Sequence, residues 1–188
     1  VPKGRAATTG PAIDLLDRLL GPDAKSHFDL GFFGPAAPCS GYCYTLQDSA
    51  SAPNTVVIRA TSISELTAGI GFYLREYCNM TIGWKRGGGS NLKVPASAWA
   101  KIGSGDGVLR KRNVPWSYMM NVCTHSYSLV WYSWQDWEHF IDWMALSGIN
   151  LVLATTGQEE VQYKVFSKLG MSDLDIRSWF NGPAFLTW

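Results

Sequence analysis

No stretch of this sequence approaches the ~20 consecutive apolar residues a helix needs to cross a membrane, because Ser, Gly or charge interrupts its longest apolar clusters. Charge of one sign is lacking too. Sixteen Lys and Arg face 15 Asp and Glu, and the formal net charge of +1 is too small to attract nucleic acid or an anionic membrane by bulk electrostatics. A soluble chain with neither partner is expected. Its four cysteines (Cys39, Cys43, Cys78, Cys123) are too few for a disulfide scaffold, and their spacing is unlike that of a zinc site. The three histidines, His27, His125 and His139, are scattered, so no metal and no cofactor are expected. Cys39 and Cys43 leave open both a small disulfide loop in an oxidising compartment and two free thiols. The sequence starts at Val1 without Met and stops at Trp188 after an apolar run. Both ends read as truncations, with any secretion signal upstream.

What is present is a globular composition, 46% hydrophobic and 16% charged over 188 residues. Ile13, Leu16, Leu19 and Leu20 recur at helical spacing and Gly21-Pro22 ends that helix. Gly41 to Gln47 and Thr55 to Ala60 alternate as strands, with the polar loop Asp48 to Asn54 between them as a hairpin. Ser62-x-x-Glu65 is a capping-box pattern ahead of a stripe formed by Leu66, Ile70, Tyr73, Leu74 and Tyr77. Thr81 to Lys85 and Asn91 to Val94 read as a second hairpin around Arg86 to Ser90. Its triple glycine is a turn rather than a phosphate cradle, since no helix or Gly-Lys-Ser/Thr follows. Pro95 to Arg112 loses periodicity and reads as a linker ending in a solvated basic loop, Arg110-Lys111-Arg112. The triplet Asn79-Met80-Thr81 is a glycosylation sequon.

Beyond that point the order is strand, loop, helix, strand, helix. Tyr118 to Val122 is an apolar strand, and Trp134, Trp137, Ile141, Met144 and Ala145 form a helical stripe ending at Gly148. Leu151 to Ala154 is wholly apolar, as in a strand buried on both faces. Thr156-x-x-Glu159 reads as the cap of a helix carrying Val161, Val165, Phe166 and Leu169, and Ser172 to Phe180 as one more helix. Such alternation predicts a parallel sheet. The expected fold class is α/β: a small N-terminal α+β domain over residues 1–105, then the first βα units of a truncated (β/α)8 TIM barrel over 106–188.

Seven of the nine Trp residues lie at or beyond Trp116. Sugars stack their C–H faces on aromatic rings, while amides and hydroxyls fix sugar hydroxyls. The loop Asn121 to Tyr132 supplies both kinds of group directly after the first barrel-like strand, the face where barrel enzymes carry their sites. Trp134, Trp137 and Trp143 are expected in the core. A glycosidase needs two carboxylates across the scissile bond, and no such pair is legible. Glu159 is better read as a helix cap, and Asp136, Glu138 and Asp142 as a solvent-facing helix surface.

Four ordered segments then point to a family. They are Asn121-Val122-Cys123-Thr124-His125-Ser126-Tyr127-Ser128, Ile141 to Asn150, Gly157-Gln158-Glu159, and Asn181-Gly182-Pro183-Ala184-Phe185-Leu186-Thr187-Trp188. Together they resemble the alpha-N-acetylglucosaminidases, lysosomal or secreted glycoside hydrolases that in animals trim heparan sulfate. Residues 1–105 also resemble that family's small N-terminal domain, including the segment Phe72 to Cys78. The resemblance implies a retaining mechanism, with two catalytic glutamates beyond the point matching Trp188. It also implies a sugar pocket that includes Asn121, Cys123, Tyr127 and Trp188. The expected partner is a glycan with terminal α-linked N-acetylglucosamine, and the expected localisation is lysosomal or secreted. A non-catalytic glycan-binding module is the competing reading.

Overall fold

The structure is a computed structural model that describes residues 8–85, 88–154 and 156–180. The chain divides into two compact units, one formed by residues 1–117 with 136–150 and the other by 118–135 with 151–188.

In the first unit, helix α1 (Gly10–Leu20) turns its apolar stripe inward, burying Ala12, Leu15 and Leu16, and ends at Gly21. Strands β1 (Phe28–Phe32), β2 (Cys43–Asp48) and β3 (Val56–Ala60) follow. β2 and β3 form the predicted hairpin, with Leu46 opposite Ile58. β1 was not legible as a strand, although Phe28, Leu30 and Phe32 alternate there; it pairs parallel with β3. The sheet order is β1-β3-β2-β4, with β4 spanning Val108–Lys111. Helix α2 (Ile63–Glu76) lays Leu66, Ile70, Tyr73 and Leu74 against this sheet. Each buried Leu or Ile contributes about 1.5–3 kcal/mol relative to exposure. The Ser62 hydroxyl accepts from the Glu65 N–H at 3.3 Å, the first half of the predicted capping box.

The second half of that box is replaced by something stronger. Instead of reaching back to Ser62, the Glu65 carboxylate receives Arg112 at 2.6 and 2.8 Å. The Glu65 and Arg112 side chains are 2% and 8% exposed. Arg112 is therefore not part of a solvated loop; it also donates to Ser117 Oγ at 2.6 Å and to the Gly148 carbonyl at 2.8 Å. Nor is Pro95 to Arg112 a linker. Trp99 and Ile102 are buried, the Tyr73 hydroxyl donates to the Ala100 carbonyl at 2.6 Å, and Asp48 accepts from the Ile102 and Gly103 amides. Irregular backbone can lie against a core when side chains satisfy its amides, and such a segment carries no periodic signature. β4 falls beyond residue 105 and pairs with β2, so the first sheet extends past the boundary drawn from pattern. The Thr81 to Val94 hairpin is present as one antiparallel bridge, Thr81 to Asn91. Arg86 and Gly87 lie outside the described residues. Cys39 and Cys43 form a disulfide.

Most of helix α3 (Trp134–Leu146) also belongs to the first unit. Two of its three acidic residues do not face solvent as expected: Asp136 and Asp142 are 5% and 3% exposed, whereas the Glu138 side chain is 37% exposed. Arg18 donates two bonds to Asp142, at 2.6 and 3.1 Å, and Lys85 lies 3.2 Å from Asp136. The bond to Asp142 is the main cause that raises the Arg18 guanidinium above its usual pKa. Trp143 stacks on Phe140 at 5.6 Å and Trp137 packs against the same ring, whereas Trp134 is exposed rather than in the core.

The second unit holds β5 (Tyr118–Met119), β6 (Leu151–Val152), α4 (Gln158–Lys168) and α5 (Asp173–Trp179). β5 and β6 are parallel, as the alternation predicted. Leu151 and Val152 are 43% and 39% exposed, not buried on both faces, in a sheet that has two short strands among the described residues. Gly157, at φ 83°, caps α4 without a side-chain bond, so the Thr156/Glu159 capping reading fails. The Ser172 hydroxyl caps α5 by accepting from the Asp175 N–H at 3.2 Å. Among the described residues no helix is long and apolar enough to span a membrane.

Candidate functional site

Two parallel strands present their C-terminal ends on the same side, so the segments following β5 and β6 emerge together. Pairing runs Tyr118 to Leu151 and Met119 to Val152, and the Leu153 N–H then donates to the Met119 carbonyl at 2.8 Å. After β5 the chain turns through a short 3-10 helix, Val122–Ser126, capped by Asn121. The Asn121 side-chain oxygen accepts from the Cys123 N–H at 2.7 Å, and the Thr124 hydroxyl donates to the Asn121 carbonyl at 2.6 Å. This is ordinary Asx-turn chemistry, and it commits one end of the amide. The Asn121 side chain is exposed, so its NH2 end points donors at solvent or a ligand.

Cys123 is a half-buried free thiol on the same turn, and Tyr127, which follows the turn, is 50% exposed. The structure thus brings Asn121, Cys123 and Tyr127 to one loop at the C-terminal side of β5. Trp188, the fourth residue expected there, lies outside the described residues. Asn79 stands elsewhere, exposed at φ 52° in the turn after α2.

A contact that the pattern did not reveal joins the two loops. His125 Nδ1 lies 2.7 Å from the Thr156 hydroxyl, 31 residues away. Burial pushes the His125 imidazole below its usual range, and the Leu153 carbonyl and Glu159 act in the opposite direction. No sequence period links residues so far apart; only the pairing of β5 with β6 does.

Acid–base groups are sparse here. Glu159 and Glu160 sit exposed in the first turn of α4, where they complement the helix dipole, and Glu160 pairs with Lys164 at 2.9 Å. Asp136 and Asp142 are engaged with Lys85 and Arg18. Among the described residues no group of three or more His, Cys, Asp or Glu is arranged to hold a metal ion. The loop after β5 offers hydrogen-bond donors, a thiol and an aromatic ring.

Comparison with known proteins places both units in one family. The Alpha-N-acetylglucosaminidase (NAGLU) N-terminal domain matches residues 10–98, and the tim-barrel domain of the same family matches residues 117–188. The chain belongs to the alpha-N-acetylglucosaminidase family. It is 38% identical over 175 residues to the human alpha-N-acetylglucosaminidase, which covers 93% of this chain and 22% of the human protein. The Family 89 glycoside hydrolase from Clostridium perfringens, solved in complex with PUGNAc, superposes with a TM-score of 0.79 at 29% identity. A doubly substituted form of that bacterial enzyme, bound to its substrate GlcNAc-alpha-1,4-galactose, matches equally well. Each bacterial match covers 95% of this chain and 19% of the solved one. The chain thus spans about a fifth of the length of these relatives. Within the family's tim-barrel match fall Asn121, Cys123 and Tyr127, and also the His125–Thr156 contact.

Proposed function

We propose that this chain is an N-terminal α+β domain, whose sheet continues through β4 (Val108–Lys111), followed by the opening βα units of a (β/α)8 catalytic barrel, in the stretch matched from residue 117, of a retaining glycoside hydrolase. The parent enzyme removes terminal α-linked N-acetylglucosamine from glycans, and this part of it supplies one wall of the sugar pocket. The observation that carries the reading is the loop after β5. It lies inside the stretch matching the family's tim-barrel domain and presents the Asn121 amide, the Cys123 thiol and the Tyr127 ring together. Support for the substrate class comes from the bacterial relative bound to GlcNAc-alpha-1,4-galactose. Heparan sulfate is the polymer to test first, as the glycan trimmed in animals by the family this chain resembles.

In this reading the Asn121 NH2 donates to a sugar oxygen, the Tyr127 and Trp188 rings stack on sugar C–H faces, and Cys123 lines the floor. The two catalytic glutamates come from other barrel strands. The full-length protein is expected to release the aglycone from an aryl α-N-acetylglucosaminide, and the isolated 188 residues are expected to be inert. Turnover by the isolated chain would overturn the division of labour. In the full-length enzyme, Asn121→Ala and Trp188→Ala should each lower kcat/KM about tenfold while the protein stays folded, since a tenfold change is about 1.4 kcal/mol. Wild-type kinetics in both variants would remove these residues from the pocket.

A lysosomal or secreted location is supported by the Cys39–Cys43 disulfide, which persists in oxidising compartments, and by the exposed sequon at Asn79. Expressed in a eukaryotic secretory host, the protein should lose apparent mass on treatment with peptide-N-glycosidase. Asn79→Gln should abolish the part of that shift due to this site, and an identical glycan load in the variant would show that Asn79 is unmodified.

A further inference from the structure

We infer that His125 is a positioning residue for the proposed sugar wall, tying the turn after β5 to the loop after β6 and so fixing where Asn121, Cys123 and Tyr127 stand. The inference rests on the sugar-wall reading above and adds a residue and a partner, Thr156, to it. The backbone alone gives the wall little support. β5 and β6 contribute two residues each, and among the described residues their ladder ends at the Leu153 to Met119 bond. Beyond it, the 3-10 turn is capped at its start by Asn121 and carries His125 near its end. The 2.7 Å contact from His125 Nδ1 to the Thr156 hydroxyl is a side-chain tie between the two loops at that second point. Gly157 follows Thr156 directly as the residue before α4. Gly157 adopts φ 83°, a left-handed conformation that glycine accepts readily, and this lets the chain reverse into α4 directly after the hydroxyl. Contacts at both ends, from Asn121 at its start and His125 near its finish, oppose a roll of the turn. A roll would move the Cys123 side chain and the chain leading to Tyr127, two residues beyond His125.

Hydrogen exchange on this chain reads the tie without any assay of activity. The reporters are the Cys123 amide, bonded to Asn121 Oδ1 at 2.7 Å, and the Leu129 amide, bonded to the Thr124 carbonyl at 2.9 Å. Both should exchange about tenfold faster in His125→Ala and in Thr156→Val, and the double variant should be no worse than either single one. His125→Asn, whose amide reaches the place of Nδ1, should restore protection. In the full-length enzyme, His125→Ala should raise KM for an aryl α-N-acetylglucosaminide about tenfold with kcat little changed, and His125→Asn should recover to within about twofold. Unchanged exchange in both single variants overturns the tie, and Thr156→Val decides the matter if His125→Ala does not fold. Faster exchange with unaltered KM would leave a structural contact and overturn the positioning role. A wild-type enzyme with no turnover of the substrate would instead defeat the glycosidase reading while the exchange data still judged the tie.

Discussion

Gly71→Ala should destabilise the first unit by about 3 kcal/mol or more, although alanine is the better helix former by about 1 kcal/mol. Gly71 lies inside α2, and a Cβ built there runs into the carbonyl group of Leu146 in the last turn of α3, 2.7 Å from its carbon and 3.0 Å from its Cα. The obstacle is backbone, so no rotamer change relieves it. Leu146 cannot retreat easily either, because its side chain is 2% exposed within the core and its carbonyl accepts from Arg75 at 3.2 Å. The propensity gain is therefore outweighed by overpacking at a site pinned from both sides. Urea unfolding of the 188-residue chain should show the midpoint falling sharply in Gly71→Ala. Gly105→Ala, where a Cβ meets nothing within 4 Å, should change stability by no more than about 0.5 kcal/mol. Equal stability of the two variants would mean that α2 and α3 do not approach as closely as described.

Replacing Arg112 with Met should cost about 3–5 kcal/mol, the usual penalty for leaving a buried charge without its partner. Glu65 is 2% exposed and its carboxylate meets Arg112 at 2.6 Å, so the substitution strands an anion in the core. It also strips a donor from Ser117 Oγ and another from the Gly148 carbonyl. The Ser117 amide donates to the Asn150 side chain at 2.7 Å, so the same network fixes the residues immediately before β5 and β6. Combining Arg112→Met with Glu65→Met should recover a large part of the loss, because apolar replacement of both partners removes the uncompensated charge. Chemical denaturation of the single and double variants measures the coupling directly. Additive losses would show that Arg112 acts through Ser117 and Gly148 rather than through Glu65.

Much of the regular part of the first unit was legible, β1 and β4 excepted. The stripe from Leu66 to Leu74 buries as one face of α2, Ser62 caps it, and the hairpin of β2 and β3 stands where polar Asp48 to Asn54 separates two alternating runs. These features share a cause: period and local capping are written within a few residues of one another. The order of strand, helix and strand beyond residue 117 was legible on the same grounds. In the site, the position of Asn121, Cys123 and Tyr127 after a strand could be read, since the turn that presents them closes through contacts two or three residues apart.

What failed shares a cause too. Asp142 and Asp136 were assigned to solvent because charge on a helix usually faces water, yet Arg18, 124 residues from Asp142, makes burial acceptable. Arg112 looked like a loop cation until Glu65 was opposite it, and Trp99 like a linker residue until Phe28 and Tyr73 packed against it. The sequence by itself determined α2, the hairpin of β2 and β3, the order of elements beyond residue 117 and the family's ordered motifs, because each depends on residues near one another along the chain. The tertiary structure alone decided which charges are buried, where the first sheet ends, and that His125 meets Thr156. Those outcomes turn on partners dozens of residues away, and no local pattern encodes whether a partner will be there.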